Sequence, residues 1–426
     1  MSGITHLVNH IHLPRFVRAK QFFPHNELNQ EQIARLLDAG FQRKEIREKI
    51  WPEMRICITC GSRGVSNSPF VIRYMVERLK EMGAQPFLIP AMGSHGGATA
   101  EGQKVVLASL GITEESMGCP ILSSMETVQI SQAEDFEVCI DKNAYHADGI
   151  IVLNRVKAHT SFQGPYESGL MKMMTIGLGK QYGAHICHAK GDDFMSHRIS
   201  LIGSEVIKHA NVIMGVALLE NAFDRTFDVV ILPAENIPKE EPQLLTRAKA
   251  AMGRIMFDSC DVLITQQIGK NFSGSGADPN IVGRSANPKL KMGINAQRMG
   301  VLDISEESHG NATGMGRFDI APQRFFKKLS FDNTYPNFIT DYGPSAYKIP
   351  VIVDSDEEVM KTAVATCLQI DYENPRIIII KNSLEIESIL ISEALIPEAQ
   401  KKENLTIEDK PFFLEFDPQG NLLTQY

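Results

Sequence analysis

The sequence has no dense run of lysine and arginine, and its formal net charge is -8. Binding to a phosphate backbone needs a basic patch, so a nucleic-acid partner is not expected. No apolar stretch approaches the roughly 18 residues of a membrane span, and the N-terminus MSGITHLVNHIHLPRF has no charged-then-apolar leader layout. The expectation is a cytoplasmic protein without a membrane partner. Internal repeats and low-complexity segments are also absent. Cysteine is sparse and odd in number, at 7, which suits free thiols in a reducing compartment. Cys57 and Cys60 form the one C-x-x-C, inside a strand-like run where residues three apart face opposite sides. They read as buried structural thiols, and no second pair completes a zinc site.

What is present is a regular alternation. From about residue 54, short β-branched or apolar runs alternate with amphipathic ones, the pattern of βαβ units around a parallel sheet. MRICITC, QPFLIPAM, ADGIIVLNRV, NVIMGVALLE, TFDVVILPAE and DVLITQQIG read as strands. Ser68 is expected to cap a helix with Pro69 in its first turn and Gly83 as its stop, and Thr99 to cap the next. A further helix is expected over PQLLTRAKAAMGRI. IPVIVDS, DEEVMKTAVATCL and RIIIIKN suggest a second, smaller unit, and PFFLEFDPQGNLLTQY a hairpin turning at DPQG. With 426 residues the chain exceeds one core. The fold class expected is α/β: two α/β domains with mostly parallel sheets, residues 1–255 and 256–426, and an active site in the cleft between them.

Open α/β sheets bind ligands outside the carboxyl ends of their strands, where loops converge. Four such loops each carry groups of catalytic type: GSRGVSN with Arg63, GSHGGAT with His95, KAHTSF with His159, and GKNFSGSG with Gln267 and Lys270. Two neutral histidines suit acid and base work near neutrality, and an arginine and a lysine suit a carboxylate. The stretch GLMKMMTIGLGKQYGAHICH places Lys172 among small and apolar neighbours, with His188 sixteen residues on. Either Lys172 lies along the surface with its ammonium in water, or it is kept for its nitrogen chemistry. A phosphate loop at TIGLGKQ is excluded, because Met174 stands where that motif needs glycine and Gln181 where it needs a hydroxyl. The polar run 302–319 reads as a loop, a lid or plain surface. His10 and His12 read as surface residues.

With these residues assembled, the chain resembles the nickel-pincer-nucleotide racemase family, whose named member is lactate racemase. The resemblance runs from Arg63 to Lys270 in one chain order. It implies that Lys172 tethers a nickel-bearing pyridinium mononucleotide through a thioamide and that His188 is the protein's nickel ligand; His185, on the same helical face, competes for that role. It implies His95 and His159 as paired acid and base, and Arg63, Gln267 and Lys270 as substrate contacts. Gly169, Gly177 and Gly179 are expected to leave room around the tether. The implied reaction is racemisation or epimerisation of a 2-hydroxy acid, and the implied partners include the proteins that build the cofactor. Arg63 sits in Ser-Arg-Gly where the family has Thr-Arg-Pro, and the interval from His159 to Lys172 is longer; both bear on which substrate is taken. The competing reading is a non-catalytic carboxylate- or nucleotide-binding protein of the same fold.

Overall fold

The computed structural model describes residues 5–341 and 343–425. The chain divides into two compact units, His25–Met252 and a second assembled from both ends, Met1–Pro24 with Gly253–Tyr426. The sequence reading kept the N-terminal residues with the first domain. The structure moves them because β1 (Phe16–Gln21) is a strand of the other unit's sheet, paired antiparallel with a strand on each side.

The unit His25–Met252 holds β2 (Arg55–Cys60), β3 (Gln85–Pro90), β4 (Thr127–Ala133), β5 (Phe136–Asp141), β6 (Gly149–Arg155), β7 (Val212–Glu220) and β8 (Thr226–Pro233). Five of them form a sheet in the order β3-β2-β6-β7-β8, parallel except for the last pair. β4 and β5 form a separate antiparallel hairpin that the periodicity did not single out. The parallel strands are covered on both faces, which is why they read as unbroken apolar runs rather than alternating ones. Cys57 and Cys60 accordingly sit in two different cores on opposite faces of the sheet, both buried. Burial pushes both thiols far above the usual cysteine range, so they are inert packing residues.

Helix boundaries follow their caps with two corrections. Ser68 is the first helical residue of Ser68–Glu81 and not its cap; Asn67 holds that place in a left-handed conformation and makes no side-chain cap bond. Gly83 follows the helix end at φ +83, where a side chain would be strained. Thr99 does cap Ala100–Ser109, accepting from the Gly102 amide. The helix expected from Pro242 onward spans Ile237–Ala251, so Pro242 lies inside it. Proline has no N–H to give the carbonyl four residues earlier. That carbonyl, of Pro238, takes the Tyr166 hydroxyl instead, at 2.6 Å.

The second unit adds β9 (Ser259–Ile268), β10 (Asn295–Ile304), β11 (Ile320–Pro322), β12 (Val351–Val353), β13 (Ile377–Ile380), β14 (Ser388–Ser392) and β15 (Leu405–Ile407). They form one sheet with β1, in the order β12-β11-β10-β9-β13-β14-β1-β15. The first five strands are parallel and the remaining pairings antiparallel. The run 302–319 is no open loop. β10 takes its first three residues, and Ala312, Met315 and Arg317 are buried. The C-terminal hairpin is present, with Gly420 donating to the Asp417 carbonyl at 2.8 Å across the turn. No helix among the described residues is long and apolar enough to cross a membrane.

Phe16 is fully buried in β1, and Phe16→Ala is expected to cost about 3–5 kcal/mol through lost transfer energy and a cavity. Hydrogen exchange should lose protection in Phe16–Gln21 and Ser388–Ser392 while the β3-β2-β6-β7-β8 sheet keeps its own. Loss confined to residues 25–252 would overturn the assignment of β1.

Candidate functional site

The carboxyl ends of β2, β3 and β6 each lead into a loop held by a buried polar side chain. After β2, the Ser66 amide donates to Glu220 Oε1 at 2.9 Å, and Glu220 Oε2 accepts from Arg155 at 2.5 Å. Glu220, at the end of β7, thereby anchors the loop that carries Arg63. Arg63 itself reaches solvent and makes no hydrogen bond or ion pair among the described residues. Its guanidinium is held below the usual arginine value by partial desolvation and then by the charge of Arg155, and it remains cationic.

After β3, His95 is exposed, and its Nδ1 lies 2.8 Å from the Met92 carbonyl and 3.1 Å from Ser62 Oγ. Gly96 follows at φ +65, and a Cβ there would come 2.5 Å from the Gly102 backbone, so the turn requires glycine. Gln103, fully buried, donates to the carbonyls of Gly93 at 2.9 Å and His95 at 3.3 Å. Behind Gln103 lies Lys180, also fully buried, 3.4 Å from Gln103 Oε1 and 2.8 Å from Asp141 Oδ2. The lysine of TIGLGKQ is thus committed to an internal ion pair, consistent with setting aside a phosphate loop there.

After β6, His159 is half-buried, and its Nδ1 accepts from the Ser161 amide at 3.1 Å. The His159 amide donates to Glu167 Oε2 at 2.7 Å; Glu167 Oε1 accepts from the Gly164 amide at 3.2 Å and from Lys249 at 2.6 Å. Phe162 packs on His159, ring centroids 4.1 Å apart, and Lys172 Nζ lies 5.5 Å from the centroid of the same ring. Burial, then the charges of Lys172 and His188, hold the His159 imidazole well below its ordinary value.

Lys172 ends the turn Leu170–Lys172, and the backbone then passes through a π-helical turn, Met173–Gly177, before the helix Lys180–His188. Such turns concentrate at functional sites. Glu241, buried, receives the Met171 amide at 2.8 Å and so fixes the start of the Lys172 segment. Burial lowers the Lys172 amine to about 8, with Arg63 adding to the effect and Cys187, Asp192 and Glu167 opposing it. Its ammonium makes no hydrogen bond or ion pair among the described residues. The glycines expected to make room for it do something else. A Cβ on Gly169 would meet Glu241 Oε1 at 2.0 Å, one on Gly177 the Ala91 carbonyl at 2.8 Å, and one on Gly179 the Thr175 carbonyl at 2.3 Å. They permit close backbone packing of the segment and do not clear space around the amine.

Arg63, His159, Lys172 and His188 therefore share one electrostatic neighbourhood, with His95 joined through Ser62 to the Arg63 loop. His185 is exposed, whereas His188 is half-buried and its charge reaches His159. Gln267 and Lys270 lie in the other unit, at the end of β9 and just beyond it. There Lys270 Nζ donates to the Gly274 carbonyl at 2.7 Å and its amide to Ser308 Oγ at 2.8 Å. Sequence reading missed Glu167, Glu220, Glu241, Gln103 and Arg155, most of whose partners arrive from other elements, up to 154 residues away. Among the described residues no three His, Cys, Asp or Glu side chains are grouped to hold a metal ion.

A family model described as a domain of unknown function (DUF362) matches residues 59–231, the stretch that contains Arg63, His95, His159, Lys172 and His188. No curated protein matches the chain. Among solved structures, a structural-genomics target protein from Thermotoga maritima is similar at 12% identity and a TM-score of 0.47, over 66% of this chain and 72% of that one. The lactate racemase apoprotein of Thermoanaerobacterium thermosaccharolyticum is similar at 12% identity and a TM-score of 0.42, over 67% of this chain and 74% of that one.

Two outcomes follow from the local chemistry. Trace acetylation with peptide mapping should find Lys172 half-reactive near pH 8, because only the neutral amine attacks and its proton leaves there; an ordinary lysine needs about pH 10.4. Reactivity indistinguishable from surface lysines would contradict its setting. Burial raises Glu241 from 4.5 to about 7, so the folded state holds the extra proton between those values. Its stabilising share is complete below the ordinary carboxyl value and is lost as pH rises through about 7. Urea midpoints for Glu241→Gln should lack this fall; an unchanged pH slope would refute it.

Proposed function

We propose that the chain is an isomerase, a racemase or epimerase of a 2-hydroxy acid, carrying a nickel-pincer nucleotide on Lys172 with His188 as the nitrogen donor to nickel. The observation that carries this reading is Lys172: a half-buried amine, lowered to about 8, without a hydrogen bond or ion pair among the described residues, set beside His159 and Arg63. An amine with that value is about a tenth neutral at pH 7, and a lone pair is what thioamide formation requires. Simple anion binding would favour a fully charged, hydrogen-bonded lysine instead.

That no three-residue metal cluster is found among the described residues is compatible with this chemistry, since a pincer that brings its own carbon and sulfur donors would ask the protein for one imidazole. When bound, the group supplies a hydride acceptor in its pyridinium ring. The chain supplies the rest. Arg63, whose neighbours include the cations Arg155 and Lys172, is suited to a bidentate grip on the substrate carboxylate. His95 and His159 offer imidazole nitrogens for the hydroxyl proton, help worth about 10²–10⁴ in rate. Phe162 shields the amine and His159 from water. Gln267 and Lys270 are matched to substrate contacts by the resemblance alone.

The test is intact-mass spectrometry of protein from a host able to build the cofactor, with peptide mapping and nickel quantified in parallel. An adduct on Lys172 with stoichiometric nickel is expected, and Lys172→Ala should lose both while remaining folded. An unmodified lysine without nickel, from a host shown to mature a known family member, would replace this reading with that of a carboxylate-binding protein.

A further inference from the structure

The carboxyl end of β6 carries a half-buried amide side chain, Asn154. Its Nδ2 donates to the Gly169 carbonyl at 2.8 Å. A carbonyl only accepts, so the nitrogen must be the atom that faces it, and the orientation of the whole amide is fixed. Oδ1 is thereby turned away from Gly169 and has no hydrogen-bond partner among the described residues. It lies on the side of Gly61, where a Cβ would come 3.9 Å from Oδ1 and 3.4 Å from the Met173 methyl group. Gly61 is the first residue past β2, and Arg63 follows two residues on.

The neighbouring strands give this acceptor its surroundings. β2 and β6 lie side by side, but the chain leaves them in opposite directions, from β2 to β3 on one side and from β6 to β7 on the other. Their connections also cover opposite faces. Val71, Met75 and Leu79 of the helix after β2 belong to one core, and Leu170, Met174 and Leu178 after β6 to the other. A parallel sheet whose connections part in this way leaves a crevice outside the strand ends, where ligands bind. Asn154 and Gly61 border that crevice, one from each strand. An amide oxygen takes only a donor there, and a carboxylate is not one.

Resting on the function proposed above, we propose that Asn154 reads a second hydroxyl of the substrate, so that the acid taken is a 2,3-dihydroxy acid in preference to a plain alkyl one such as lactate. The reacting C2 hydroxyl has one proton, which goes to an imidazole, so that group has none for Oδ1. The carboxylate belongs with Arg63. An ammonium on C3 would enter the field of Arg63 and Lys172, two cations that already feel one another. The C3 hydroxyl is the donor left over, and an analogue without it leaves Oδ1 unpaired in the crevice.

The deciding measurement is equilibrium binding to the full-length chain without cofactor, by calorimetry, of three racemic acids: glycerate, lactate and 2-hydroxy-3-methoxypropanoate. Glycerate should bind about tenfold more tightly than lactate, the effect of one neutral hydrogen bond. The methoxy acid keeps the oxygen but has no proton to give, and should bind no better than lactate. This comparison needs no variant, so it stands even if Asn154→Leu, which also gives up the Gly169 bond, fails to fold. Where circular dichroism shows that variant folded, its glycerate-to-lactate ratio should fall to about one. Equal affinities in the parent chain, no binding by any of the three, a methoxy acid that ranks with glycerate, or a preference kept in Asn154→Leu overturns the proposal. No cofactor enters these titrations, so a hydroxyl of the nucleotide cannot produce the preference, and a missing Lys172 adduct would sink the proposed function without touching their outcome.

Discussion

A lysine and an aspartate removed from water hold the strand-end loops of the His25–Met252 unit together. Lys180 and Asp141 are both essentially inaccessible, with 2.8 Å between their charged atoms. Asp141 ends the β4-β5 hairpin and accepts two amides of the turn that follows. Lys180 opens the helix that ends in His188, and it reaches the Pro90 carbonyl at the end of β3 and, through Gln103, the loop of His95. Separating such a pair leaves a buried charge uncompensated, at a cost of about 3–5 kcal/mol. Lys180 also adopts φ +55, a conformation unfavourable for a side-chain-bearing residue, which the pairing offsets. One internal contact thus fixes the position of the segments that carry His95 and His188.

The same division of labour recurs around the site. Carboxylates hold backbone, while two of the cations make no hydrogen bond or ion pair among the described residues. Glu167 ties the loop of His159, Glu220 that of Arg63, and Glu241 the turn before Lys172. Each is buried and accepts from at least one backbone amide, and Glu241, the least compensated of them, is pushed up to about 7 by its burial. Arg63 and Lys172, by contrast, have no ion pair or hydrogen bond among the described residues. An uncompensated cation is costly to hold near others of its sign, and an anionic ligand would relieve that cost.

Much of the architecture was legible because it is local. The parallel strands declared themselves as unbroken apolar runs, and Thr99 and the DPQG turn acted within a few residues of themselves. The strand-end loops followed from strand positions alone, which is how Arg63, His95 and His159 could be named. The misreadings had long-range causes. β1 joins a sheet whose other strands lie more than 200 residues away, and β10 runs three residues into a polar, turn-rich stretch that reads as loop. Pro242 sits inside a helix because a tyrosine 76 residues earlier covers the carbonyl it orphans. Glycines around Lys172 look like free space in a sequence and prove to be contact points.

By itself the sequence determined the α/β class, the strand edges and the residue types offered there, since side-chain periodicity and turn chemistry act over a few residues. Tertiary structure alone decided which end of the chain completes the second sheet, which carboxylate steadies which loop, and which charges meet around Lys172. Those depend on the partner that each hydrogen-bonding group meets after the chain has folded, and only the path of the backbone brings such partners together.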